Sequence, residues 1–311
     1  MTGKSPRDRP RNNSRPTNPF ISEAQNTERS VRLLAAQRRL YQDAKLIHNI
    51  RLTIVLTAGA IGVSLALYFP AARAHIGFTS AAILLLISVL GSAREKRKSK
   101  EAASVQEEFD TSVFQLPWNS VLSDRPTNAL VVEAAHRHKG GGLENWYGNT
   151  STLVRPLDIL VCQRSNLAWG VSSHRRWAAV IMSAMITWIA AIVLVCYFLQ
   201  LSFASSMFAV VTPLVPTFRE YIEMWRSNAE SVQVKEKTES KISEIWESAL
   251  EGRGLPSIKK CREIQDRLCL IRQTNAIIPD WFYWIFRKKA EKVMRVSSND
   301  YVDQARTRGL A

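Results

Sequence analysis

Apolar and polar positions in this chain fall into long blocks. Leu52–Phe69 (LTIVLTAGAIGVSLALYF) runs 18 residues without a charge, about 27 Å of helix and close to the hydrocarbon thickness of a bilayer. Pro70 stops it, and the tip Ala71–His75 carries the single charge Arg73. Ile76–Ala93 returns uncharged into the block Arg94-Glu95-Lys96-Arg97-Lys98-Ser99-Lys100. A dense basic block directly after an apolar span acts as a stop-transfer signal and stays in the cytoplasm. This abrupt flank favours a membrane hairpin over a helical pair buried in a soluble core. A second hairpin follows His174-Arg175-Arg176: Trp177–Leu199 is 23 residues without a charge, and Leu201–Phe218 turns back toward Arg219. The return run is weaker, with several Ser and with Pro213 and Pro216. The pattern predicts an all-α membrane protein, four transmembrane helices arranged as two hairpins, with a helical cytoplasmic domain and both termini inside.

The polar blocks between the spans divide further. Residues 1–19 are rich in Arg, Asn, Ser and Pro and predict a disordered basic tail. Residues 20–51 predict a helix running without a breaker into the first span, with Ser22 and Gln25 as a capping box. The hairpin 52–93 is followed by a cytoplasmic helical region, 94–176, in which Glu107–Asn119 ends at Pro117 and Leu157–Trp169 forms another helix. Hairpin 177–218 leads into a second cytoplasmic region, 219–294. It reads as a striped helix to Glu251, a break at Gly252–Pro256, a helix over Ser257–Ile277 and an aromatic-then-basic segment from Asp280. Residues 295–311 read as a polar tail.

Charge changes this picture little. The 42 Lys+Arg against 27 Asp+Glu leave a formal +15 over 311 residues, much of it expected from the positive-inside bias and contact with anionic lipid. Cys162, Cys196, Cys261 and Cys269 have no metal-ligand spacing and read as reduced, small apolar residues. No cleavable signal peptide is expected, because the first apolar run starts only at Leu52.

Candidate chemistry is sparse. No Walker, GxSxG, HExxH or paired-carboxylate motif occurs; the reading is non-enzymatic, with no catalytic residue, metal site or cofactor. His136-Arg137-His138-Lys139 before three glycines reads as a flexible basic loop. No span carries an ionisable residue in its middle, which disfavours a transporter. Small residues recur at four-residue spacing, Ala58, Gly62 and Ala66 in the first span and Ala179, Ser183, Thr187 and Ala191 in the third. Such faces let helix backbones approach, within one bundle or between subunits. Pro213 and Pro216 are candidates for a gate in the fourth span, and Ser202, Ser205, Ser206 and Thr212 for a polar lining. Trp281, Phe282, Tyr283, Trp284 and Phe286 before Arg287, Lys288 and Lys289 suit either lipid headgroups or an aromatic core. Arg155, Arg164, Arg262, Arg267 and Arg272, with Trp118, Trp146, Tyr147 and Trp169, have the chemistry for an anionic, base-bearing ligand.

The order of short motifs resembles the SMODS-associating four-transmembrane effector family of bacterial anti-phage (CBASS) systems. It rests on Leu33-Leu34-Ala35-Ala36-Gln37-Arg38 before the first span, and on Phe109-Asp110 with Leu116-Pro117-Trp118-Asn119 after the second. Trp146-Tyr147, Cys162-Gln163, Asn166 and Trp169 precede the third span; Ile264-Gln265-Asp266, Arg272, Pro279 and Asp280 follow the fourth. The resemblance spans roughly Asn18–Met294. It implies an inner-membrane effector linked to a nucleotidyltransferase. A cyclic oligonucleotide second messenger would trigger the effector, which would damage the membrane as a homo-oligomer and abort infection. It carries over no ligand residues. Arg38, Asp110, Trp118, Gln163, Gln265, Asp266 and Arg272 are chosen as ligand candidates because they are polar or aromatic residues inside these motifs; an internal hydrogen-bond network would account for them equally. The alternative function is a membrane-tethered scaffold that recruits a protein or nucleic acid through its basic face without forming a pore.

Overall fold

A computed structural model describes residues 19–168 and 170–311, apart from the side chains at 168 and 287–295. Residues 1–18 of the expected basic tail, Trp169, and the side chains of Arg287, Lys288 and Lys289 lie outside the described residues. Among the described residues all regular structure is helical. After the single turn α1 (Ile21–Ala24), the Thr27 hydroxyl accepts from the Ser30 N–H and opens α2, Glu28–Tyr68. The expected capping box is therefore misplaced. Gln25 is buried, and its amide pairs with both backbone groups of Tyr147. α2 is 41 residues long, about 60 Å. A 3₁₀ turn at Pro70–Ala72 reverses the chain into α3, Arg73–Phe114, which ends at Gln115 in the left-handed conformation (φ 56°).

The helical stretches 28–68, 70–114 and 157–198 are long and apolar enough to cross a membrane. Their apolar windows are largely bare: only 6 % of the third is buried by the rest of the chain. Ile61, Leu86, Ile186 and Val193 point outward as part of this band. Apolar surface this extensive is costly in water and matched by lipid tails, and helices satisfy their own backbone there.

The third of these stretches comprises α5 (Leu157–Ala168) and α6 (Val171–Phe198). The return segment is built differently, as α7 (Phe203–Ser206), a π turn (Met207–Val211) and α8 (Thr212–Leu250). Pro213 has no N–H, and its ring would clash with a regular helical turn. The π turn just before it absorbs the mismatch, with the Thr212 N–H and hydroxyl both donating to the Met207 carbonyl. Ala209, Val210 and Leu214 pack with Ala66 in an apolar cluster that also takes in Ile76 and Trp188. Arg73 joins the two hairpin tips, donating to the Ala66 carbonyl (3.3 Å) and to Ser205 Oγ (2.6 Å). Ser202 caps α7, and Ser206 donates to the Ser202 carbonyl.

Glycines of the first hairpin make the notch that receives the return segment. A Cβ at Gly77 would stand 2.4 Å from the Phe208 carbonyl oxygen, and one at Gly62 3.3 Å from Pro213 Cβ. The buried row of α2 is Val55, Gly59, Gly62 and Ala66. Gly62 and Ala66 lie there as expected, whereas Ala58 sits beside the row and Gly59 takes its place, because a buried helix face alternates three- and four-residue steps. On α6 the small face is reversed. Ala179, Ser183, Thr187 and Ala191 point outward, while Ala178 and Ile181, with Trp188 and Ile192 beyond them, face the bundle. Pro213 and Pro216 are both buried in this packing.

Beyond the membrane the same helices build one core, with Leu34 and Leu40 of α2, Phe109 and Phe114 of α3, Leu157 and Leu160 of α5 and Trp246 of α8. α4 (Asn128–His136) packs on α2, and α9 (Ile258–Thr274) lies against α3, α5 and α8. Cys162, Cys261 and Cys269 are buried free thiols. Residues 295–311 are not a polar tail: α10 runs over Asp280–Thr307 and docks. Tyr301 packs on Trp246, whose indole N–H donates to Gln304 (3.1 Å), and Leu310 accepts from the Val154 N–H (3.1 Å). At its start α10 divides the aromatic segment between two faces. Phe282 is buried against Trp177 at the base of the third span, while Trp281, Trp284 and Ile285 face outward.

The glycine notch makes a direct prediction. Gly77→Ala presses a methyl group into backbone and should cost about 1–3 kcal/mol. Gly148→Ala, with open space around it, should change stability by less than about 0.5 kcal/mol. Denaturation of the detergent-solubilised protein measures both.

Candidate functional site

Five of the seven ligand candidates meet in one buried network where α3, α5 and α9 come together. Asp110, Gln163 and Gln265 have no solvent exposure (0 % each). Gln265 Nε2 donates to Glu107 Oε2 (2.8 Å) and Asp110 Oδ2 (3.0 Å), and its Oε1 accepts from Gln163 Nε2 (3.1 Å). Arg272 Nη2 lies 2.6 Å from Asp110 Oδ2, a charge contact outside hydrogen-bond alignment. Tyr147 donates to Asp110 Oδ1 (2.5 Å) and accepts from Asn166 (2.9 Å). At the edge, Arg262 joins Glu107 (2.5 Å) to Asp266 (2.7 Å), which also accepts from Asn119 (3.1 Å).

The other two candidates stand apart. Arg38 donates to the Gly141 and Gly142 carbonyls and lies over the Trp146 ring (5.3 Å). Trp118 donates to the Ser123 carbonyl beneath the Arg125 guanidinium (5.1 Å). Glu107 was not among the candidates, although it is central. Its one sequence signal is its place three residues before Asp110, on the same face of α3.

A second ionic cluster closes the polar end of the bundle. Arg51, the last residue before the first apolar run, pairs with Glu220 from α8 and with Glu95 from α3 (2.9 Å). His48 meets the same Glu95 oxygen (3.1 Å), and Ser88 donates to Glu220 and accepts from Arg219. Gly91 makes the room: a Cβ there would fall 2.5 Å from Arg51 Cδ. A search for charges in mid-span passes over this cluster, because each ionised member sits just outside an apolar run.

The family model for the SMODS-associating 4TM effector domain matches residues 19–301. The chain belongs to that family. Similar to this SMODS-associating 4TM effector is a probable CBASS effector molecule of Bacillus cereus (strain VD146), 25 % identical over 286 residues, which cover 88 % of this chain and 95 % of that protein. No solved structure matches the chain.

In this family member the buried network joins two arginines to three carboxylates through neutral amides and a phenol. Burial pushes the Glu107 carboxyl above the ordinary glutamate range, although Arg272 and Arg262 pull the other way. Burial beside Asp110 also keeps the Tyr147 phenol protonated, so it can only donate to that carboxylate. Removing one side of a buried ion pair leaves an uncompensated charge. Arg272→Met should therefore cost about 3–5 kcal/mol, and combining it with Asp110→Asn should recover more than half, as read by denaturant unfolding.

Glu107 provides a pH test. With its native value raised, the folded state holds this proton to higher pH than the unfolded chain does. Its contribution to stability is full below the ordinary range and is lost as pH rises through the native value. Glu107→Gln, which imitates the protonated carboxyl, should gain on the wild type as pH moves from acid toward neutral. A stability difference that stays constant across that range would refute the assignment.

Proposed function

We propose that this protein is a non-enzymatic effector of a cyclic-oligonucleotide anti-phage system, switched by a nucleotide second messenger and disrupting the bacterial inner membrane as a homo-oligomer. In this reading 201–218 supplies a fourth span, and both termini lie in the cytoplasm, where a linked nucleotidyltransferase makes the messenger. Family membership supports the defence role, as does the CBASS effector title of the Bacillus relative.

The observation that carries the switching reading is continuity. α3 carries Glu107 and Asp110 of the buried network and, without a break, the apolar run to Ala93; α2 and α8 likewise pass from the core into the bundle. A messenger that favours another arrangement of α3, α5 and α9 would therefore reorient the hairpins as rigid bodies. Four apolar helices enclose no wide aqueous path, so leakage requires several subunits. The outward small face of α6, Ala179, Ser183, Thr187 and Ala191, suits close helix contact between them.

The test is release of an entrapped dye from liposomes holding the purified protein, with cyclic oligonucleotides added in turn. One of them should trigger release, and Ser183→Trp should reduce it by more than about tenfold without unfolding the protein. The reading fails if liposomes stay tight with every messenger and cells co-expressing the synthase still exclude a membrane-impermeant dye.

A further inference from the structure

α6 starts at Val171 from the N-cap Gly170, which has no side chain to cap the helix. This start lies six residues before Trp177, about 9 Å along the helix from the apolar run. Into this spot α8 sends Lys235. A Cβ at Gly170 would meet Lys235 Nζ at 2.6 Å and the ring of His174 at 3.4–3.5 Å.

Lys235 is 6 % exposed and has no ion pair or hydrogen bond among the described residues. The nearest carboxylates on its own helix are engaged elsewhere, Glu236 with Arg175 and Glu239 with Arg164. His174 offers no counter-charge. Its Nδ1 lies 2.8 Å from Asn228 Oδ1, and the Asn228 amide is oriented by donating to the Met224 carbonyl (2.7 Å), so Nδ1 is the protonated nitrogen of a neutral ring. Asn275 Oδ1 is buried against the His174 ring without a well-aligned hydrogen bond, while the neighbouring Ala276 N–H donates to Ser231 (3.3 Å).

A buried ammonium with no anion beside it among the described residues, next to the positive end of a 28-residue helix, is costly unless it loses its proton or gains a counter-ion. Both strains register: burial pulls the Lys235 ammonium down to about 7, and burial with the nearby lysine brings His174 down to about 3. Basic residues also lie nearby. A groove of about 310 Å³ between α8 and α9 carries Lys237 and Arg267, and includes Thr238, one helical turn from Lys235.

We propose that the cluster of Lys235, His174 and Asn275 at the start of α6 binds a phosphoryl oxyanion, with Lys235 as its counter-charge. Lysine serves phosphate as a point charge, and a helix start adds to the attraction. A hydroxyl or ordered water accompanying the phosphoryl group would supply Asn275 Oδ1 with a better-aligned donor. A lipid headgroup and a soluble phosphate present the same chemistry here, and occupancy would hold α8 against the base of the third span. The cluster stands independently of membrane permeabilisation.

The full chain in nanodiscs separates the two sources. In one arm, discs of digalactosyldiacylglycerol, a lipid without phosphate, receive inorganic phosphate in exchange for chloride at constant ionic strength; in the other, phosphatidylglycerol replaces part of the glycolipid and phosphate is omitted. The thermal midpoint of the wild type should rise by a few degrees in at least one arm. A rise with phosphate alone assigns a soluble phosphoryl group, a rise with phosphatidylglycerol alone assigns the headgroup, and a rise in both assigns the phosphoryl group itself. Lys235→Met should start higher than the wild type without anion, because the orphan charge is gone, and should respond in neither arm. Lys235→Gln serves the same comparison if the methionine variant does not fold. A wild type unmoved in both arms, or a variant that tracks it, overturns the site. Because no dye release is involved, failure here is distinguishable from failure of the effector reading.

Discussion

The carboxylates of α3 can be buried only because α9 brings arginines and an amide to meet them. Asp110, with no exposure, is met by Arg272, Gln265 and Tyr147, and Glu107 by Arg262 and Gln265. Deprived of α9 these acids would be unpaired charges in a core of leucine and phenylalanine, so α9 is held against α3 by need as much as by apolar contact. Gln163 extends the same network into α5. Three segments far apart in sequence are thus fixed to one another by polar groups, and the helices running into the membrane inherit that arrangement.

The hairpins are held by a different principle. In lipid there is no hydrophobic drive between helices, so close approach must come from small residues and satisfied polar groups. Gly59, Gly62 and Gly77 let the return segment settle into the first hairpin, and its π turn supplies the backbone geometry that Pro213 requires. Arg73 fastens the tips at one end, and Arg51 with Glu95 and Glu220 fastens the other.

Much of this was legible in the chain. The uncharged runs and their basic flanks marked the long apolar helices, and the absence of breakers showed that α2 passes straight from core to membrane. Five of the chosen polar residues do share one network, because a polar side chain within an apolar motif must find partners. What could not be read was direction. Nothing in the spacing of Ala179, Ser183, Thr187 and Ala191 says that larger residues on the opposite face fill the bundle. Nor could the docking of 295–311 be read, since Tyr301 and Gln304 depend on a tryptophan at position 246. The Arg51 cluster was hidden because its members come from three separate segments, each just beyond an apolar run.

The Arg51–Glu95–Glu220 cluster divides α3 into two arms of similar reach. From Glu95 to Asp110 is 15 residues and from Glu95 back to Ile76 is 19, about 22 and 28 Å of stiff helix. In a bar pinned there, a sideways displacement at the Asp110 tip emerges at the other tip in the opposite sense and about 1.3 times as large. Ångström-scale shifts among the buried acids would thus reach the far end of the first hairpin slightly enlarged, with the salt-bridged collar as the pivot.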